Sequence, residues 1–153
     1  GLHFSEEIMA KLDHVFVTLH VGIGTFRPVS VEEISEHKMH SERFAIAAAA
    51  AKRIEEANRV IAIGTTVVRV LESCAAESKR FSARLEGSTD IFIHPPYQFK
   101  MVDGLLTNFH LPKSTLLMLV SAFTSRELIL EAYQKAVEKR YRFFSYGDCM
   151  LLL

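Results

Sequence analysis

The stretch whose reading decides the fold is RVIAIGTTVVRVLESCAAE, residues 59–77. Residues 60–63 are a continuous apolar run, the pattern of a strand buried on both faces. Gly64-Thr65-Thr66 makes a turn, and Val67, Val68, Val70, Leu71, Cys74 and Ala75 then follow helical spacing. Strand, turn and helix in that order are half of a βαβ unit, so the fold class is α/β, with helices packed on the faces of a mixed sheet in a three-layer αβα-like arrangement. The turn also has a chemical reading. A helix N-terminus offers unbonded amides and the positive end of its dipole, and Thr65 and Thr66 add hydroxyl donors. A carboxylate or phosphate suits it. The same residues equally serve as a plain cap, and the Rossmann and Walker spacings are both absent.

Working outward, residues 78–88 read as an exposed loop. DIFIHPPY (90–97) reads as a strand halted by two prolines, and residues 99–111 as a strand broken near Asp103-Gly104. Residues 114–123 are apolar all round and predict a buried helix, capped by Ser114 or Thr115. Thr124 and Glu127 have capping-box spacing for a last helix with Ile129, Ala132, Tyr133, Ala136 and Val137 on one face. Residues 142–153 finish as a strand interrupted at Tyr146-Gly147-Asp148. On the other side, Ser5 caps a short helix over 6–12, and VFVTLHVGIGTF (15–26) alternates as a strand ending in a Gly-x-Gly loop. Ser30 and Glu33 suit a short helix near 31–36. HKMHSE (37–42) is a polar connection, RFAI a short strand, and the alanine run through Ala57 a helix.

The totals bound the function. A length of 153 residues fits a single domain spanning 1–153, and 49% hydrophobic residues support a core. Eighteen basic side chains balance eighteen acidic ones, so there is no general pull toward nucleic acid or membrane. KRYR at 139–142 is a local basic run, read either as cations at a helix C-terminus or as an RNA contact. Cys74 and Cys149 stand far apart with no CxxC spacing, as expected of reduced thiols in the cytoplasm. No apolar run approaches the length of a membrane span.

Polar chemistry gathers at three further places. Gly22 and Gly24 let backbone approach a ligand closely, with His20 and Thr25 beside them. His37 and His40, three apart, suit acid–base work near neutral pH, or a zinc site completed by His20 or His110. TNFHLPKST (107–115) sets Thr107, Asn108 and His110 directly before the buried helix, where a rigid N-terminus holds the loop in place. The alternative is that Asn108 and His110 only satisfy backbone groups in a sharp turn.

TLHVGIGTFRPV, HKMHSE, RVIAIGTTVVRVLES, VDGLLTNFHLPKSTLLMLVSAF and YRFFSYGDCML occur here in one order. Together they resemble the C-terminal half of the S-adenosylmethionine:tRNA ribosyltransferase-isomerase family of the queuosine pathway. The resemblance implies that S-adenosylmethionine donates its ribosyl group to an aminomethyl-deazaguanine base at the wobble position of tRNA, releasing adenine and methionine. It implies no metal and no bound cofactor, S-adenosylmethionine being a substrate. It further implies a cytoplasmic monomer without membrane contact, and a family β-barrel domain that lies outside this stretch. By position, His20, His37, His40 and His110 are then the acid–base candidates. Gly22, Gly24, Thr25, Gly64, Thr65, Thr66 and Arg69 line a substrate site, the Gly64 turn and Arg69 holding an anionic group. Thr107, Asn108 and Ser114 contact ribose or base, and Tyr146 and Asp148 complete the wall. Pro96 and Val67 depart from the family pattern, which has glycine and serine there.

Overall fold

The apolar run at 60–63 does form a strand in the computed structural model, which describes residues 4–22, 29, 31, 33–77, 79–82 and 85–153. In chain order the first elements are α1 (Glu6–Lys11), β1 (Thr18–Leu19), β2 (Glu42–Ala45), α2 (Ala48–Glu56), β3 (Ile61–Ile63) and α3 (Thr65–Cys74). Then come β4 (Ala75–Glu77), β5 (Arg80–Phe81), β6 (Glu86–Thr89), β7 (Gly104–Asn108), α4 (Thr115–Ala122), α5 (Arg126–Glu138) and β8 (Cys149–Leu152). A 3-10 turn, Ile34–Glu36, lies among the described residues between β1 and β2.

The α/β architecture and its mixed sheet are present. β3 runs parallel to β7 with Ile63 opposite Leu106, and β8 runs antiparallel on β7's other side. The remaining strands form two further antiparallel sheets, ordered β1-β2-β6 and β4-β5. No barrel closes among the described residues. The helix predicted after Gly64 is the hinge of this arrangement, because α3 packs against β1 and β6 of one sheet, β3 and β7 of the other, and α4. Val68, Val70, Leu71 and Cys74 enter the core with Leu105, Met101 and Val120. Gly104 allows β7 its close neighbours, since a Cβ there would lie 2.8 Å from both Ile61 Cδ1 and the Leu152 carbonyl oxygen.

Caps follow the sequence closely. Ser5 Oγ accepts from the Ile8 amide at 3.3 Å, and Ser114 Oγ from the Leu117 amide at 3.1 Å. At α5 the cap is Ser125, which accepts from Leu128 N at 3.2 Å, one residue later than the Thr124–Glu127 pattern suggests. Thr124 donates instead to the Ser125 carbonyl.

Several expectations need correction. Residues 78–88 are not a plain loop, for the described ones supply β5 and most of β6. DIFIHPPY is not a strand. Ile93 is nonetheless buried there, so the alternation that suggested a strand survives in an unpaired extended segment. β3 is buried at Ala62 but not at Ile61, which is 36% exposed because β3 is an edge of its sheet. Val137 is 63% exposed and lies off the packed face of α5. The strand expected over 15–26 is regular only at Thr18–Leu19 among the described residues; Gly24, Thr25 and Ser30 lie outside them.

In the segment 97–102, which joins no sheet, one side chain takes three successive amides. Glu72, 4% exposed on α3, accepts the amides of Lys100 and Met101 at 2.9 Å, that of Val102 at 3.1 Å, and the Tyr97 hydroxyl at 3.3 Å. Burial, and then the Glu72 charge, push the Tyr97 phenol well above its ordinary range. Next along, Asp103 accepts the Val60 amide at 2.7 Å and pairs with Lys79. Burial opposes ionisation of Asp103, but the Lys79 hydrogen bond and the Val60 amide outweigh it and hold the carboxyl below its usual value. Replacing Glu72 by leucine strands three backbone donors, two of them in bonds that are buried. The Glu72→Leu protein should lose about 3 kcal/mol or more in urea unfolding, while Glu72→Gln, which keeps an acceptor oxygen, should lose less.

Candidate functional site

α3 starts where β3 ends, and its first residue sets the chemistry. Gly64 has φ +94°, and its amide donates to the Leu106 carbonyl of β7 at 2.8 Å. That bond ties the turn to the C-terminal end of β7, next to Thr107 and Asn108. The Gly64 carbonyl accepts from Val67 and Val68, so the Thr65 and Thr66 amides stay outside the helix's own ladder. A Cβ built on Gly64 would meet nothing within 4 Å, so the space over the turn is open. Thr65 is buried and Thr66 half-buried. The C-terminal ends of adjacent parallel strands are where open α/β sheets place their ligands.

His110 stands on the same β7 extension. Its Nε2 and Thr107 Oγ1 are 2.8 Å apart in a hydrogen bond, and its amide donates to the Tyr133 hydroxyl at 2.8 Å. Burial pushes the imidazole down to about 4, so it is neutral at neutral pH. Burial likewise raises the Tyr133 phenol to about 12, against the opposing pull of the His110 amide. Phe109 meets Tyr133 and Tyr141 edge-on at 5.3 and 5.7 Å between centroids.

One turn further along α3 lies the second polar group. Arg69, 2% exposed, pairs with Glu42 of β2, itself 2% exposed. The other Glu42 oxygen accepts the Gly22 amide at 2.6 Å. One turn on again, Ser73 bonds Thr89. Glu42 and Thr89 face each other across the β2–β6 ladder. Thr65, Arg69 and Ser73 share one helix face at four-residue spacing. That face therefore runs from the Gly64 turn to the Glu42–Thr89 rung, and carries the Gly22 loop with it.

The nominated residues divide accordingly. Gly64, followed by Thr65 and Thr66 at the start of α3, is tied to β7 at Leu106, and Thr107, bonded to His110, and Asn108 end that strand. Gly22 and Arg69 meet through Glu42. Arg69 is thus paired through Nη1 with an internal carboxylate. Ser114 is a buried cap whose hydroxyl donates to the Leu111 carbonyl at 2.8 Å, a structural role. Asp148 takes Arg142 through its carboxylate, with Arg142 Nε and Nη2 both at 3.1 Å, while its carbonyl accepts from Asn108 Nδ2 at 3.3 Å. Tyr146 is 72% exposed. His20 and His40 are exposed, and the His20 amide donates to the Arg43 carbonyl at 2.8 Å. His37 packs its ring on Phe92, with centroids 5.1 Å apart. Gly24 and Thr25 lie outside the described residues. Among the described residues, no three His, Cys, Asp or Glu side chains gather as a metal cluster. Nor is any helix long and apolar enough to cross a membrane.

Sequence reasoning noted Glu42 only beside the His37 and His40 spacing and missed its pairing with Arg69, as it missed the hydroxyl role of Tyr133, which it placed only on a packed face. A serine or histidine next to a carboxylate was the available signal for Glu42, but its partner lies 27 residues away. A cavity of about 530 Å³ opens elsewhere, between α1, the 12–17 segment, β3 and Val67. It is lined mainly by apolar side chains such as Phe4, Leu12 and Ile63, and Asp13 and Arg53 on its wall are paired with each other. None of the nominated residues lines it.

Comparison with known proteins agrees over the whole length. A family model described as Queuosine biosynthesis protein matches residues 1–152. S-adenosylmethionine:tRNA ribosyltransferase-isomerase from Halothermothrix orenii is 52% identical, over 100% of this chain and 47% of its own length. The protein of that name from Cupriavidus metallidurans is 57% identical, over 99% of this chain and 45% of its own. The crystal structure of S-adenosylmethionine tRNA ribosyltransferase from Thermotoga maritima is similar with a TM-score of 0.65 and 48% identity, over 73% of this chain and 41% of that one. The chain spans about half the length of the curated relatives it matches.

Two outcomes test this geometry. His110 binds its proton less readily when folded, about 4 against the ordinary 6.5, so the unfolded chain holds more protons between those values. Stability should therefore rise with pH from about 4 to about 6.5, by about 3 kcal/mol from this group, and be level outside that window. His110→Gln should remove that part of the slope in denaturation curves taken across the range. Gly64→Ala meets no atom but must hold a φ that L-residues avoid, so it should lose about 1–3 kcal/mol by the same measurement.

Proposed function

The chain belongs to the queuosine biosynthesis protein family, and from that premise we propose that it carries the ribosyl-transfer chemistry named for its relatives. The substrates are S-adenosylmethionine and a tRNA whose wobble position holds an aminomethyl-deazaguanine base. The observation that supports the reading is the bond from the Gly64 amide to the Leu106 carbonyl of β7, the residue before Thr107, which bonds His110, within a chain matched from residue 1 to 152.

The reaction makes defined demands. The sulfonium acidifies the adjacent C5′ protons, and one must be removed. Adenine leaves, the acceptor amine attacks, and an alkoxide closes the epoxide as methionine departs. The amides of Thr65 and Thr66 suit the methionine carboxylate, because the helix dipole favours an anion there. Open space over Gly64 leaves room for it. His110, neutral and shielded, serves as a proton acceptor or a hydrogen-bond partner and supplies no imidazolium at neutral pH. The Thr107 hydroxyl fixes the ring's orientation through Nε2. Arg69 and Glu42 act at one remove by holding the Gly22 loop against α3.

A second reading, in which the chain binds its substrates but needs the rest of the family fold for turnover, is favoured by its span of about half the relatives' length. One assay addresses both. The chain is incubated with S-adenosylmethionine and the modified tRNA, alone and with the remaining half of the Halothermothrix orenii protein added. Adenine and methionine should form in equal amounts in at least the second case, and Thr107→Val should lower the rate roughly tenfold or more. Absence of adenine release in both cases, with no S-adenosylmethionine bound in a titration, would remove the proposal.

A further inference from the structure

One group of side chains is used by neither the fold nor the reaction as proposed. Phe92 lies between two imidazoles, with centroids 5.1 Å from His37 and 4.9 Å from His94. All three rings are half-buried. The neighbours of Phe92 behave differently: Ile91 packs on the core and Ile93 is buried in it at 2% exposure. In an extended segment that alternation turns Phe92 away from the core. Both imidazoles are tilted to the Phe92 ring, by 57° and 56°, whereas Phe99 and Phe123, stacked at 3.9 Å, both pack on the core, so their contact is explained by folding alone. Phe92 is not among the side chains packed there.

The polar atoms of the row are also placed for use. His94 Nδ1 is 3.0 Å from the Pro95 carbonyl, which can only accept, so Nδ1 carries the proton and Nε2 of a neutral ring is an acceptor. His37 makes no side-chain hydrogen bond among the described residues. A π surface flanked by imidazole nitrogens fits a flat heteroaromatic guest that both stacks and exchanges hydrogen bonds. The row is also attached to the machinery. Residues 90–94 continue from β6 and residues 37–40 lead into β2, at the end of the ladder where Glu42 faces Thr89.

We propose that His37, Phe92 and His94 form a nucleobase-stacking subsite. The inference rests on the proposed function for the identity of its guest, which is either the adenine of S-adenosylmethionine or the acceptor base of the RNA. The 153-residue chain is titrated separately with adenosine, with S-adenosylmethionine and with an anticodon stem-loop RNA carrying the deazaguanine base. Phe92→Leu keeps an apolar side chain and removes the ring, and should weaken binding about tenfold, while Phe92→Tyr stays near wild type. Loss toward adenosine and S-adenosylmethionine together assigns adenine as the guest, and loss toward the RNA alone assigns the acceptor base. His94→Leu gives an independent measure should Phe92→Leu fail to fold. Affinities unchanged by both substitutions for every probe would overturn the subsite and leave the reaction standing. Adenosine binding weakened by Phe92→Leu, in a protein that neither binds nor consumes S-adenosylmethionine, would keep the subsite and remove the reaction. A wild type that binds none of the three probes would overturn the subsite outright.

Discussion

The buried ion pair between Glu42 and Arg69 is the constraint on which the rest of the structure depends. It joins β2 to α3, and α3 is the element that touches both larger sheets. Two charges at such depth stay ionised only while they have each other and further hydrogen bonds. Glu42 meets that demand by also accepting the Gly22 amide. The pair therefore fixes three parts of the chain that are distant in sequence. Its net contribution to stability is small compared with a well-packed apolar substitute, but losing one partner leaves a charge with nothing to balance it. What it supplies is position: the face of α3 cannot rotate without breaking it.

α3 thus combines two kinds of side chain. Val68, Val70, Leu71 and Cys74 hold it in the core by burial, while Arg69, Glu72 and Ser73 dock it by specific polar contacts. The apolar side chains would tolerate some sliding. The polar ones would not, because each meets a specific partner: the Glu42 carboxylate, the amides of 100–102 and the Thr89 hydroxyl. Glu72 in particular replaces a missing strand. It satisfies the amides of 100–102, which would otherwise need a neighbour in a sheet.

Much of this was legible in the sequence. The strand–turn–helix at 60–74 is read from apolar periodicity, and the caps at Ser5 and Ser114 from local residue type. The polar stretch at 107–110 is read from its chemistry, and His110 proved to be its shielded member. The failures share a cause. DIFIHPPY alternates like a strand, but pairing depends on a partner the segment does not specify, and residues 90–97 run extended without joining a sheet. The partner of Arg69, Glu42, lies 27 residues away, where no local pattern announces it. Local signals determined elements and caps; the pairing of buried charges depended on the fold.

The two cysteines differ in a way that is useful at the bench. Cys74 is buried in the core, whereas Cys149 is exposed at the start of β8, directly opposite Asn108. A thiol-reactive fluorophore or spin label would therefore enter at a single address without any engineered residue. It would sit one strand from the loop that bears His110, and report on that loop's environment as ligands arrive.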